Sequence, residues 1–328
     1  MSNSKLEKPK QEMKFSYGGQ AVIEGVLMRG AHTSAVAVRN PKGEIVVHEQ
    51  PLNKTMYRGR ISRTPFVRGL VGLWDALGLG TRALMWSADV AIGEEEDVNF
   101  NGPIGFATVA FALVLGVGLF FLLPTSAATG VQHLFDLDDA PFLVNLIEGV
   151  IQLTILIAYI SLIGLMPDVK RLFSYHGAEH KTINAYEAGD VLTPEVVARY
   201  PIEHPRCGTA FLLTVVFVSV LVFSTLGRPP FIYLVLSRVI LIPVIAGIAY
   251  ELLRFTARNI ENPIIRVIVK PNLALQHLTT REPDKHMLEV AIVSFQHVLA
   301  SEGLLEREAI TIPEPRPEAV SPTLAPGN

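Results

Sequence analysis

Pro103-Ile104-Gly105-Phe106-Ala107-Thr108-Val109-Ala110-Phe111-Ala112-Leu113-Val114-Leu115-Gly116-Val117-Gly118-Leu119-Phe120-Phe121-Leu122-Leu123 contains no charged side chain. At a rise of about 1.5 Å per residue, roughly 20 such residues cross a hydrocarbon core of about 30 Å, where a helix satisfies its own backbone. The run predicts a transmembrane helix. Phe142 to Met166, Gly208 to Leu226 and Phe231 to Leu253 predict three more. The composition agrees, since 49% of the 328 residues are hydrophobic and only 18% are charged.

The connections between these runs predict their orientation. Residues 124–141 hold Asp136, Asp138 and Asp139 but no lysine or arginine, and Pro229-Pro230 makes a very short turn after Arg228. The loop 168–207 and the segment after Glu251 instead carry Lys170, Arg171, Lys181, Arg199, Arg206, Arg254, Arg258, Arg266 and Lys270. Positive charge stays on the cytoplasmic side, so both termini and the central loop are expected there. The expected fold is a mainly α membrane protein, with four transmembrane helices over residues 103–253 and a small cytoplasmic α+β domain. A net charge of −3 gives no nucleic-acid footprint. A lone cysteine, Cys207, rules out an internal disulfide framework and fits a reducing compartment.

Residues 1–14 are polar, lack the apolar core of a cleaved export signal and read as a disordered tail. Residues 15–65 read as a β unit. Gly19 to Gly30 is an apolar run punctuated by glycine, and the strands Ser34–Arg39 and Glu44–His48 flank an Asn40-Pro41-Lys42-Gly43 turn. Glu24, between Ile23 and Val26, is either a structural acid paired with Arg29 or a backbone donor, or a site carboxylate. Lys54, Arg58, Arg60, Arg63 and Arg68 form a run without acids, suited to anionic lipid headgroups.

Residues 66–102 combine an apolar helix, Phe66 to Trp86, with an acidic linker. Arg68, Asp75 and Arg82 recur every seven residues on one stripe, while Gly69, Gly72, Gly78 and Gly80 weaken the run. An interfacial or bundle-packed helix is expected here rather than a span. Residues 254–310 are expected to be helical and cytoplasmic, with a helix start at Thr279 to Asp284 and an amphipathic helix from Met287 to Ala300 packed on the domain. The proline-rich 311–328 reads as a disordered tail.

Ionisable groups at membrane depth face a bundle interior. Asn145, Glu148, Gln152 and Tyr159 share one face of the second span. Glu148 and Arg238 each lie about seven residues, or roughly 10 Å, from the outer ends of their spans. A Glu148–Arg238 pair is expected, either structural or part of a substrate or ion path.

The central loop carries the chemistry. In Ser174-Tyr175-His176-Gly177-Ala178-Glu179-His180-Lys181, the order H-x-x-E-H places two imidazoles four apart on one helix face with a carboxylate beside the second. His176 and His180 are candidate ligands of a divalent metal, with zinc the expected ion, and Glu179 is the candidate general base for water. Glu187 stands about 10 Å along the helix axis from His180, too far to complete the site on an unbroken helix. The third ligand is expected from His204-Pro205-Arg206-Cys207, through His204 or Cys207; Glu251 and Glu24 are further candidates. The histidines also read as capping groups, acid partners or contacts to lipid phosphates. Cys207, at a helix start beside Arg206, reads as either a reactive or an inert thiol.

Three stretches, Gly18 to Gly30, Tyr175 to Thr182 and His204 to Thr209, together resemble the YqhQ-like family of multi-pass bacterial membrane proteins, predicted to be metal-dependent enzymes. The resemblance spans about Gly18 to Ala300, with Leu27 where a second methionine is expected. It implies a bacterial inner (cytoplasmic) membrane location. The leading expectation is a metal-dependent hydrolase at the inner leaflet. The rivals are an assembly or scaffolding factor with a structural His/Glu network and a small-solute or ion transporter. Expected partners are the bilayer, its anionic headgroups and a membrane-protein partner, with no nucleic acid.

Overall fold

The glycine-punctuated run after Tyr17 folds as two strands. β1 (Gly18–Val22) and β2 (Gly25–Arg29) pair antiparallel with Val22 opposite Gly25, which leaves Ile23-Glu24 as a two-residue loop. Tight hairpin loops need a left-handed residue, and Glu24 supplies it at φ 51°. β3 (Thr33–Arg39) and β4 (Ile45–Pro51) complete a meander in the order β1-β2-β3-β4. The turn at residues 40–43 takes its positive φ from Gly43. The structure, a computed structural model, describes residues 17–53, 64–93 and 103–316. The basic run 54–63, the acidic linker, the tails 1–14 and 317–328 and the side chain of Asp75 lie outside the described residues.

α1 (Val67–Ile92) is one helix of 26 residues, longer than the expected Phe66 to Trp86. Its glycines mark close approaches. A Cβ on Gly69 would stand 2.9 Å from Tyr250, and one on Gly80 would stand 2.2 Å from the Gln20 side chain. α1 thereby lies on the sheet at one end and on the helix that carries Tyr250 at the other.

Three helices among the described residues are long and apolar enough to cross a membrane: Gly105–Leu134, Pro141–Ile163 and Thr209–Leu226. The first runs 30 residues, beyond the expected Leu123. α2 (Pro103–Val117) passes through a π-helical turn, Gly118–Leu122, into α3 (Leu123–Leu134). Such a turn lets the chain carry Pro124, which has no N–H to give, without ending the helix. α4 is Pro141–Ile163.

After α5 (Pro167–Glu187), the short α6 (Pro194–Val197) and α7 (Thr209–Leu226) comes the largest departure from expectation. The fourth apolar run is two helices, α8 (Phe231–Ile240) and α9 (Ile242–Arg258), bent by 46°. Pro243 lies in the first turn of α9, where its missing N–H and its ring break a continuous helix.

α10 (Pro263–Thr279) leads to α11 (Lys285–Ser301), which Asp284 caps by accepting the Met287 N–H at 2.8 Å. α11 is the core of the domain. Leu288, Val290, Ala291, Phe295 and Val298 are buried among Val26, Met28, Ala35 and Ala37 of the sheet and Tyr175, Ala178 and Ile183 of α5. Beyond it Arg316 N–H donates to Gly43 O at 3.3 Å, which ties residue 316 to the turn of the sheet.

Candidate metal centre

α5 begins three residues after the apolar helix α4 and carries the histidines along the wall of the domain. Two chain segments come to meet it. The first, 198–203, is fixed to α5 by Lys181, whose Nζ donates to Ala198 O at 2.9 Å and Tyr200 O at 2.7 Å. Asn184 adds two bonds, from Nδ2 to Pro201 O and Glu203 O, each 3.0 Å. This brings Ile202 O against His180 Nδ1. The second segment, at 279–281, lies along α5 where Gly177 has no side chain, and Arg281 N–H donates to Phe173 O at 3.0 Å. It brings Thr279 O to 2.8 Å from His176 Nδ1.

These carbonyls decide the tautomers. A carbonyl oxygen only accepts, so each Nδ1 carries a proton, and in the neutral ring the lone pair is then on Nε2. Metal-bound histidines are commonly held in this way. Cys207 Sγ stands 3.3 Å from His176 Nε2, and Thr209 N–H donates to the sulfur at 3.4 Å. One ligand atom each from His176, His180 and Cys207 lie within 4.8 Å of one another. His180 and Cys207 are buried and His176 is half-buried. Two imidazole nitrogens and a thiol, with both second nitrogens satisfied by the main chain, fit zinc with a coordination position to spare.

Glu179 faces the same space from the next turn. It accepts the Gly19 N–H from β1, and a Cβ on Gly19 would stand 3.0 Å from Glu179 Cγ and 2.4 Å from Leu27 O. Burial pushes the Glu179 carboxyl above its ordinary range, while His176, the Gly19 amide and Arg29 pull the other way. All four groups line one cavity of about 540 Å3, whose remaining wall includes Leu73, Phe173, Phe211, Tyr250 and Leu253.

Of the two expected third ligands, Cys207 joins the histidines and His204 stands behind them. The His204 ring lies 5.7 Å from that of His180 and its Nε2 is 3.7 Å from Glu187, buried without a hydrogen bond. Gln276, fully buried, clamps the His204 backbone through two 2.9 Å bonds. Burial, with Arg206 and His180, lowers the His204 pKa against the pull of Glu187. Glu187 itself pairs with Arg206, and with His204 this outweighs burial and holds its carboxyl low.

Two other acid candidates are engaged elsewhere. Glu24 takes both oxygens to Arg171, one contact at 2.6 Å, and receives the Tyr175 hydroxyl at 3.2 Å. Glu251 pairs with Arg68, whose Nε stands 2.7 Å away, and receives the Phe66 N–H at 3.1 Å.

Glu148 lies in a separate cluster at the other ends of the apolar helices. Arg238 donates to both its oxygens at 2.8 and 2.9 Å, and Thr125 adds a hydroxyl bond at 2.8 Å. Arg228, which the sequence places only in a turn, donates to Glu148 at 2.8 Å and to Asn145 at 2.9 Å. The sequence also gave no sign of Thr279, Ile202 or Gln276. The first two act through main-chain carbonyls, which every residue type has, and Gln276 acts through a backbone clamp. Gly19 sits within the glycine-punctuated motif, where a close backbone approach was open to reading.

Residues 64–301 match the family described as protein of unknown function (DUF1385). The chain is also 34% identical over 311 residues to the uncharacterized protein YqhQ of Bacillus subtilis (strain 168), covering 91% of this chain and 96% of that protein. No solved structure matches. The chain belongs to the DUF1385 family.

Proposed function

We propose that this DUF1385 protein is a multi-pass protein of the bacterial cytoplasmic membrane and a metal-dependent hydrolase at its inner face. The observation that carries the reading is the convergence of one ligand atom each from His176, His180 and Cys207 within 4.8 Å, with both Nδ1 atoms tied to carbonyls. Membrane location rests on the three long apolar helices and the bent pair α8–α9. The basic residues of the central loop and of α9 and α10 favour a cytoplasmic position for the domain. α1 fits the membrane surface, since the apolar side chains of Trp74 and Leu77 are exposed on one side of it.

His176, His180 and Cys207 would hold the ion, which supplies Lewis-acid polarisation of a carbonyl or phosphoryl oxygen. Glu179 takes and returns a proton at the cavity wall. Its raised affinity for protons suits that work near neutrality, and the Gly19 N–H holds the carboxyl group in place at the cavity wall. His204, Glu187 and Arg206 brace the loop that presents Cys207. The Glu148 layer supports a structural clamp rather than a transport path, because two arginines and Thr125 engage both of its oxygens.

Metal analysis of the native protein in detergent tests the reading. A near-stoichiometric divalent ion is expected in wild type and in Glu179→Gln, and a large loss is expected in His176→Ala and His180→Ala. Full metal content in the folded His180→Ala protein would refute the site.

A further inference from the structure

The cavity beside the metal centre is graded from apolar to polar along α5 and α7, two elements that enter it from the apolar helices. On α5, which continues from α4, Leu172 and Phe173 come first and His176, Glu179 and His180 follow one and two turns on. On α7 the order is the same read outward, with Phe211 inside the apolar helix and Cys207 just before it. α9 contributes Tyr250 and Leu253 near its end, to the apolar part of the wall. α1 closes the apolar side with Gly69, Gly72 and Leu73. A soluble polar substrate would have no use for this wall, whereas a molecule with a hydrocarbon chain and a polar head matches both ends at once.

We infer that the substrate of this centre is a membrane amphiphile drawn from the adjoining leaflet. Its chain lies along Leu73, Phe173, Phe211, Tyr250 and Leu253, and its head reaches His176, Glu179 and Cys207. The inference rests on the proposed membrane placement and deepens the hydrolase reading by naming its substrate class. Gly72 is the specificity position. A Cβ there meets only Tyr250, at 4.0 Å, so the missing side chain leaves room in the cavity rather than serving a close backbone contact.

Photolabelling of the full-length protein in nanodiscs tests this. The discs contain phosphatidylglycerol doped with an analogue bearing a diazirine on its acyl chain, and labelled peptides are mapped by mass spectrometry. The expected result is labelling of the 172–176 segment in wild type, retained in Gly72→Ala. In Gly72→Trp it should fall roughly tenfold, a scale typical of exclusion from an apolar pocket. Labelling at Phe111, on the exposed face of the first apolar helix, serves as the internal reference and should not change.

Labelling confined to the Phe111 face in wild type would overturn the inference, whatever the variants do. Leu253→Trp gives a second block of the cavity if Gly72→Trp does not fold. Undiminished 172–176 labelling in a folded blocking variant would also overturn the inference. Metal content of the same samples separates the two claims. Metal without cavity labelling leaves the hydrolase centre standing and removes the amphiphile, and cavity labelling without metal does the reverse.

Discussion

The main-chain carbonyl of Arg281 occupies the space where a side chain on residue 177 would be: a Cβ built on Gly177 stands 2.1 Å from Arg281 O. This contact lets the 279–281 segment lie along α5 and present Thr279 O to His176. Gly177→Ala should force that segment away, at a cost of about 1–3 kcal/mol for overpacking. Removing such an orienting partner typically weakens a metal site about 10–100-fold. Chelator competition on the purified variant measures this. Unchanged metal affinity would mean that Thr279 does not orient His176.

Glu24 holds a left-handed backbone at a turn where glycine would be free of strain. Its side chain explains the choice, because it is buried against Arg171 and Tyr175. Removing one partner of such a pair costs several kcal/mol, on the order of 3–5 where both are buried and less here because Arg171 is partly exposed. Glu24→Ala should therefore destabilise the domain clearly. Glu24→Gly should do so by roughly 1 kcal/mol less, because it releases the backbone strain. Thermal unfolding of the two variants compares them, and equal losses would remove the strain term.

Between the apolar helices, one carboxylate serves two guanidinium groups. Glu148→Gln should leave Arg228 and Arg238 without a counter-charge and abolish recovery of monodisperse protein. Arg228→Gln, which leaves the Arg238–Glu148 pair intact, should be recovered at a reduced level. Size-exclusion profiles of tagged variants read the difference. Normal behaviour of Glu148→Gln would show that the cluster carries no structural weight.

Glu49 on β4 joins the sheet to α11 through His297 at 2.6 Å and to the segment after α11 through Arg307 at 2.9 Å. Burial raises its carboxyl, but these two partners outweigh burial and hold it below its ordinary value. A depressed carboxylate pKa contributes stability above the unfolded value, roughly 4.3, and loses it as pH falls through the folded value. The melting temperature of wild type should exceed that of Glu49→Gln at about pH 5–6, and the gap should close as pH is lowered toward about 3. A gap that widens on acidification would contradict the assignment.

The chain states most clearly what depends on residue type. Three of the apolar runs are helices of spanning length, the H-x-x-E-H face was visible from spacing, and Cys207 was one of two neighbours, with His204, named for a third ligand. Less was legible where main-chain geometry or distant packing decides. Pro243 breaks the fourth run at Leu241, a signal present in the sequence but masked by the apolar residues around it. The run Gly19 to Gly30 hid a hairpin because its loop has no Asn-Gly or Asp-Gly, only Glu24 in an uncommon conformation. The partner of Glu24 is 147 positions away in Arg171, beyond the reach of local pattern. Arg228 lies outside the apolar run and folds back into it, so counting charges within spans misses it.

X-ray absorption at the metal edge of the protein purified from zinc-supplemented cells reads the ligand set of the bound ion itself. One sulfur and two imidazole nitrogens are predicted in the first shell, with the sulfur lost in Cys207→Ser and one imidazole lost in His180→Ala. A shell without sulfur in wild type, or one unchanged in Cys207→Ser, would contradict the account.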